Sequence, residues 1–285
     1  MEHRTALITG CSSGFGRDLV RELLSRNWRV IATMRNLQTR SDLFADELAT
    51  PNSRLTVLEM DVTSATDRSA VLERVGSITG GSLDCLINNA GYGLFGAFED
   101  SSEEQIRAQL EVNFFGLALL TRDTLPMLRS SRGKIIQLSS ILGLVGTPLS
   151  SLYSASKFAV EGLSEALAHE LAPFGVQVCI VEPGGHRTDF AAKLVWADRG
   201  NTNESPYRKR SDRYRTWLAR ALEEKSTPPS PAVRKIASLA ERKHLPLRVR
   251  CGWDATALYG LRCVLPDRIF IPLARAVIGM MFYRE

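Results

Sequence analysis

Apolar residues occur in short unbroken runs at 5–9, 30–33, 55–59, 85–88, 135–138 and 176–181. Between these runs, apolar positions fall at helical spacing over 15–26, 67–78, 103–128 and 152–172. An unbroken run offers water no polar face, so each predicts a strand covered on both sides, whereas the wider spacing predicts helices with one buried stripe. Buried strands alternating with helices are what a mostly parallel sheet with helices on both faces requires, and the pattern predicts a doubly wound α/β fold. Two helix ends agree: Ser102 stands where a cap is wanted, with Glu104 and Gln105 in the next turn, and Gly175 follows the last periodic residue of its helix.

The rhythm changes after Pro183-Gly184. Residues 189–225 carry Trp196, Tyr207, Tyr214 and Trp217 among many charges and show no convincing strand, which predicts a small substrate-binding lobe. The run Pro228-Pro229-Ser230-Pro231 punctuates it, a helix resumes over 232–241, and 247–250 reads as a last strand. Beyond Trp253 two short helices are expected. We therefore expect one domain over 1–285, with the lobe at 189–225 and a C-terminal extension at 251–285.

Composition narrows the function classes. Hydrophobic residues make up 44% of the 285 and charged residues 24%, the balance of a globular protein. The net charge of +5 is scattered, without a basic tract interleaved with aromatics, which argues against a nucleic-acid partner and for mild attraction to anions. Five widely spaced cysteines with no CxxC pair argue against a disulfide framework or a thiolate metal site, and no clustered ligand spacing calls for a metal. The chain runs into its first strand at once, so a cytoplasmic location is expected. The apolar stretch 269–283 is broken by Pro272 and Arg275 and is short of the roughly 20 residues that span a bilayer. It reads as a buried terminal helix, with weak peripheral attachment to a membrane as the alternative.

The first strand leads into Gly10-Cys11-Ser12-Ser13-Gly14-Phe15-Gly16, inside which a helix begins. Glycines there permit unusual dihedrals and close backbone approach, and the unpaired N–H groups of the helix start face a pyrophosphate. Gly10, Ser12, Ser13, Gly14, Phe15 and Gly16 are the candidate cradle; a tight turn easing helix packing is the plainer alternative. After the second strand stands Arg35, where a fold selective for NAD places an acid against the ribose 2′-hydroxyl. This favours the 2′-phosphate of NADP(H) over NAD(H), against the alternative of an ordinary surface arginine. Asp61-Val62 follows the third strand and can present a carboxylate to the adenine, while Asn88-Asn89-Ala90-Gly91 either borders the adenosine or stabilises the bend there.

Tyr153 and Lys157 lie four apart, on one helical face, so a phenol and an ammonium come together. A phenol with a pKa of about 10 is a poor base at neutrality, and an adjacent cation is expected to favour its phenolate. Ser140, 13 residues earlier, can return beside the phenol and hydrogen-bond a reacting oxygen. Asn113 sits inside the long helix, where it either supports Lys157 through water or is an ordinary buried amide.

With these residues in place, the chain resembles the classical short-chain dehydrogenase/reductase family. Thr9 to Gly16 matches the family's TGxxxGxG pattern, and Asp61, Asn88 to Gly91, Asn113, Ser140, Tyr153, Lys157 and Pro183-Gly184 follow in the family's order. The resemblance implies a Rossmann sheet and a catalytic tetrad of Asn113, Ser140, Tyr153 and Lys157. It also implies that Lys157 contacts the nicotinamide ribose, that Pro183, Gly184 and Thr188 shape the nicotinamide side, and that the protein is a homo-oligomer through the helices of Asn113 and Tyr153. Hydride would pass between the nicotinamide and a carbonyl or carbinol carbon. Cys11 and the 32–35 stretch look similar to the 17β-hydroxysteroid and retinol dehydrogenase branch, which implies a small apolar carbonyl or alcohol substrate reduced with NADPH. His186 is expected to make a local polar contact. Leu94, Phe95, Leu144, Leu149, Trp196 and Trp217 are the candidate substrate contacts. An epimerase using transient oxidation and a non-catalytic NADP-binding regulatory protein are the alternatives.

Overall fold

The computed structural model describes residues 3–190, 193–224 and 226–282. Ala191, Ala192, Lys225 and 283–285, which fall within the expected lobe and terminal stretch, lie outside the described residues. In chain order the main elements are β1 (Thr5–Ile8), α1 (Gly14–Ser25), β2 (Arg29–Met34), α2 (Ala45–Ala49), β3 (Leu55–Glu59), α3 (Ala65–Thr79), β4 (Cys85–Asn88), β5 (Leu94–Phe95) and α4 (Glu103–Leu110). There follow α5 (Leu117–Ser131), β6 (Lys134–Leu138), α6 (Ser151–Leu171), β7 (Gln177–Pro183), β8 (Val195–Trp196), α7 (Arg208–Glu224), α8 (Pro229–Glu241), β9 (Arg248–Cys251), α9 (Trp253–Val264) and α10 (Asp267–Phe282).

Seven strands form one parallel sheet in the order β3-β2-β1-β4-β6-β7-β9. Every residue of β1 and β4 is buried. Alternation along a strand sends Ala6 and Ile8 into the apolar layer shared with α1 and α8, while Leu7 faces the layer shared with α3 and α5. These two layers are the reason the strand runs are predominantly apolar. The chain builds outward from β1 to β3 and then reverses through β4, so a crevice opens at the carboxyl ends of β1 and β4, the place where open α/β sheets bind ligands.

Three expectations change. The helix expected over 103–128 is α4 and α5 joined by a π-helical turn, Glu111–Gly116, and it continues to Ser131. The start of α4 is a full capping box, with Ser102 Oγ accepting from the Gln105 amide and the Gln105 side chain accepting from the Ser102 amide. The lobe does contain a strand: β8 pairs in parallel with β5, two residues against two, too short for any periodicity to show. Finally, α8 begins inside the proline run at Pro229, since the first turn of a helix needs no amide hydrogens from its own residues.

Candidate active site

The chain leaves β1 and turns tightly into α1. At Gly10, with φ +72°, an added Cβ would lie 2.7 Å from Ala90 Cα, and at Gly16 it would lie 2.5 Å from both Asn89 Nδ2 and the Gly10 carbonyl oxygen. These two glycines are therefore demanded by how the turn nests on the end of β4. Gly14, with φ +54°, meets only Thr188 Cβ at 3.6 Å and faces the crevice. Asn89 Nδ2 donates to the carbonyls of Thr9 (2.9 Å) and Gly10 (3.1 Å), and Thr9 Oγ1 accepts from the Asn89 and Ala90 amides. Asn88 donates to Thr121 Oγ1 and Gln137 Oε1. The asparagines thus hold the bend, the structural alternative raised above. Phe15 packs its ring edge-on against His186, and Val62 packs against Gly116.

Ser13 caps α1 without a side-chain bond, and the Gly14 amide donates to Asp189 Oδ2 at 3.3 Å, with Arg17 Nη1 3.4 Å from the same oxygen. The start of α1 therefore holds an anionic group already, and a pyrophosphate has the chemistry to replace it. A rim of cations surrounds this point. Arg40 donates to the Ser12 carbonyl (3.3 Å), Lys193 donates to the Ser12 hydroxyl (3.4 Å) and the Ser13 hydroxyl, and Arg35 stands 65% exposed with its guanidinium 3.7 Å from Asp61 Oδ2. Burial pulls the Lys193 ammonium below its ordinary value, as do Arg40, Arg35 and Arg17, while Asp189 acts the other way. Asp61 spends its other oxygen on the Thr63 amide and hydroxyl.

Tyr153 and Lys157 sit one turn apart on α6, and Ser140 follows β6. Lys157 Nζ donates to the Leu138 carbonyl at 2.7 Å and lies 5.8 Å from the centre of the Tyr153 ring. Ser140 Oγ accepts from the Leu142 amide at 3.1 Å and is hydrogen-bonded to Tyr153. Asn113 occupies the π-helical turn. Its Oδ1 accepts from the Tyr92 amide (3.0 Å), and its Nδ2 donates to the Tyr92 carbonyl (2.9 Å) and Ser156 Oγ (3.1 Å). Both its amide hydrogens are used, and one acceptor site of Oδ1 is left; Asn113 and Lys157 both approach Gly91, where an added Cβ would be 3.1 Å from Asn113 Oδ1 and 3.8 Å from Lys157 Nζ. The expected pull of the cation on the phenol is not what prevails. Burial pushes the Tyr153 phenol up to about 12, with the Ser140 hydrogen bond acting against it. Burial likewise brings Lys157 down to about 8, with Glu161, one turn further along α6, acting upward. Both groups lie out of water, where each resists its charged form.

Around Tyr153 the rings close into an apolar wall. Phe95 stands 5.6 Å from it and Phe190 5.9 Å, Tyr214 lies 6.1 Å behind Phe95, and Leu149, Trp196 and Trp217 pack on the same group. Leu94 is not part of it, because successive strand side chains alternate: Leu94 is buried away from this wall, with its amide on Gln109 Oε1. Leu144 lies outside the wall as well, its place taken by Leu142 from the same turn. Next to Leu149 a cavity of about 390 Å³ is lined by Ala97, Phe98, Pro148, Ser151, Tyr207 and Arg210, among others.

Residues 4–198 match the short chain dehydrogenase family. The chain belongs to that family. Its members are NAD(P)(H)-dependent oxidoreductases of carbonyl and alcohol substrates. The chain is 36% identical over 279 residues to a 3-ketodihydrosphingosine reductase of Bacteroides thetaiotaomicron, covering 94% of this chain and 96% of the relative. It is 34% identical over 272 residues to retinol dehydrogenase 8 of Bos taurus, covering 93% and 86%. Among solved structures, a short chain dehydrogenase of Burkholderia cenocepacia in complex with NADP superimposes with a TM-score of 0.72 at 27% identity, covering 95% and 96%.

In this short-chain dehydrogenase the segment after β7 is tied to the C-terminal extension. Beyond Pro183, the Gly184 amide donates to the Cys251 carbonyl (2.8 Å) and the Gly185 amide to Asp254 Oδ2 (2.6 Å). His186 bonds the Cys251 carbonyl and Thr227 Oγ1 through its two ring nitrogens, the local polar contact expected of it. Thr188 Oγ1 accepts from the Phe190 amide. Sequence reasoning missed Lys193, Asp254, Phe190 and Tyr214. Lys193 and Phe190 stand in the irregular stretch after β7, Tyr214 on α7 and Asp254 on α9, and only the fold brings them together near the crevice.

Proposed function

We propose that the protein reduces ketones or aldehydes borne on extended apolar bodies, using NADPH. The observation that carries this is the neutral, buried Tyr153 phenol beside Ser140 at the base of an aromatic wall. A phenol that keeps its proton up to about 12 is a proton donor at neutral pH, which suits the reductive direction. The nicotinamide, when bound, supplies hydride to the carbonyl carbon. Ser140 hydrogen-bonds the carbonyl oxygen as charge grows on it, Tyr153 gives that oxygen its proton, and Lys157 holds positive charge beside them. Asn113 acts by fixing Tyr92 and Ser156 around Lys157. The cations Arg35, Arg40 and Lys193 at the end of β2 and the start of α1 favour the 2′-phosphate of NADPH. Phe95, Leu149, Trp196, Trp217, Tyr214 and Phe190 give the substrate body its surface, and burying one large apolar side chain's worth contributes about 1.5–3 kcal/mol. The relatives named for 3-ketodihydrosphingosine and for retinol support the same substrate class. Self-association through α5 and α6 belongs to this proposal, supported by the exposed rings of Phe115 in the π-helical turn and Phe158 on α6.

The test is NADPH consumption across a series of ketones of graded apolar length. Turnover should rise with length, and Tyr153→Phe should retain NADPH binding while losing roughly 10²–10⁴ in rate. Wild-type protein that binds NADPH but consumes it with no member of the series would overturn the proposal.

A further inference from the structure

The C-terminal extension exposes an apolar surface that the chemistry above does not use. Along α9 the solvent-facing positions are Trp253, Thr256, Ala257, Gly260, Leu261, Cys263 and Val264, without a charged side chain among them. Trp253 is 72% exposed and Val264 79%, although both are large hydrophobic residues whose ordinary place is inside. Ile269, Ile271 and Leu273 are exposed on α10, while Phe270 of the same helix is buried. Asp267, Arg268 and Arg275 are exposed among them, and large apolar side chains bared in this number mark an interaction site.

Its surroundings say what it meets. The helix α9 packs against the 141–143 turn that follows Ser140, and α10 packs against α7, so these two helices stand beside the elements that carry the substrate pocket. In sequence, α7, α9 and α10 together carry nine basic and five acidic side chains, a net of +4 against +5 for the whole chain. On α7 the exposed positions include Arg208, Lys209, Arg213 and Arg220 with Asp212 as the acidic exception. Apolar side chains flanked by a basic helix match a surface whose interior is hydrocarbon and whose rim is anionic. The exposed rings of Phe115 and Phe158 lie elsewhere in the fold, on the π-helical turn and on α6.

We propose that the face built by α7, α9 and α10 docks on an anionic lipid surface and presents the pocket mouth to it. Docking is peripheral: among the described residues no helix is long and apolar enough to cross a membrane. The chemistry selects bilayers bearing phosphate or carboxylate headgroups, with Trp253 and Val264 entering the headgroup boundary and Arg208 and Lys209 lying over the anionic rim.

Flotation of the full chain with vesicles of phosphatidylcholine alone, or of phosphatidylcholine mixed with phosphatidylglycerol, tests this without measuring turnover, so its failure leaves the reductase assignment standing. Binding should be strong on the mixed vesicles, weak on the neutral ones and reduced by salt. Trp253→Glu with Val264→Glu should lower partitioning about tenfold or more, and Arg208→Glu with Lys209→Glu should lower it on anionic vesicles only. Both pairs should consume NADPH with a water-soluble ketone at the wild-type rate, which also shows that they fold. No partitioning to either vesicle, or partitioning indifferent to both pairs, would overturn the proposal. So would an oligomer that dissolves on Trp253→Glu with Val264→Glu while vesicle binding is absent, which would assign the face to a second copy of the chain.

Discussion

Replacing Arg35 and Lys193 singly by alanine separates two cations that the fold brings to the crevice beside the start of α1 from distant points of the chain. Arg35 is 65% exposed, so its attraction for a phosphate is that of charges in water, about 1 kcal/mol per pair of unit charges at 4 Å. A 2′-phosphate carries nearly two charges, which raises this to about 1–2 kcal/mol. Arg35 also faces Asp61 at 3.7 Å, and its removal leaves that carboxylate to repel the phosphate. The expected loss for Arg35→Ala is therefore about tenfold in kcat/KM for NADPH, with little change for NADH. Lys193, hydrogen-bonded to the hydroxyls of Ser12 and Ser13, is exposed as well, and its removal should cost NADPH about as much. The assay is kcat/KM for both cofactors with one ketone, at low and at physiological ionic strength. Salt should shrink both effects, because exposed charges are screened over about 8 Å at 0.15 M. An NADPH/NADH ratio unchanged in both variants, or an equal loss with both cofactors, would refute the phosphate assignment.

Lys157, brought down to about 8 by burial, is charged below that value and loses its charge as pH rises through it, so ketone reduction should fall above about pH 8; Glu161→Gln, which removes a charge that raises Lys157, should move the inflection to lower pH in rate-against-pH profiles. Phe95→Ala removes the ring between Tyr153, Trp196 and Tyr214 and should destabilise the protein by about 3–5 kcal/mol in denaturant titration, while raising KM for long-bodied ketones more than for short ones. Glu182, fully buried on β7 beside Arg248 and Arg250, is pushed up to about 7 by burial, so the folded state binds its proton more tightly than the unfolded state. Stability should then fall as pH rises from about 4.5 to about 7, by up to about 3 kcal/mol, and Glu182→Gln should flatten that slope in thermal melts taken across the range.

The central strands could be read from the sequence because burial on both faces leaves no alternative pattern: Thr5–Ile8 and Cys85–Asn88 are buried at every position. The elements that escaped were those whose stability is borrowed from partners. β8 exists because Val195 and Trp196 find β5, and two residues have no period. The π-helical turn exists where the Asn113 side chain grips Tyr92 and Ser156, a contact between segments that no local propensity encodes. The direction of the Tyr153 shift escaped for a related reason. Spacing on a helix shows that a cation is near, but how much water is left around both groups depends on Phe95, Phe190 and the rest of the wall, which arrive from other parts of the chain.

The glycine-rich turn shows how a motif can be legible while its cause is not. Close approach to a ligand and close approach to the protein's own backbone ask the same thing of a residue, the absence of a Cβ, so the sequence pattern is identical for both. At Gly10 and Gly16 the obstacle is Ala90, Asn89 and the turn itself, whereas at Gly14 the backbone φ is left-handed and the nearest side chain is Thr188. The motif therefore specifies first a turn that nests on β4 and only through that turn an anion site at the start of α1. Asn89, clamping the carbonyls of Thr9 and Gly10, is part of the same construction, which is why the asparagine pair and the glycines occur together although they lie about 80 residues apart. What remains for the ligand is the start of α1, where the Gly14 amide is bonded to Asp189, and the cation rim that no motif records.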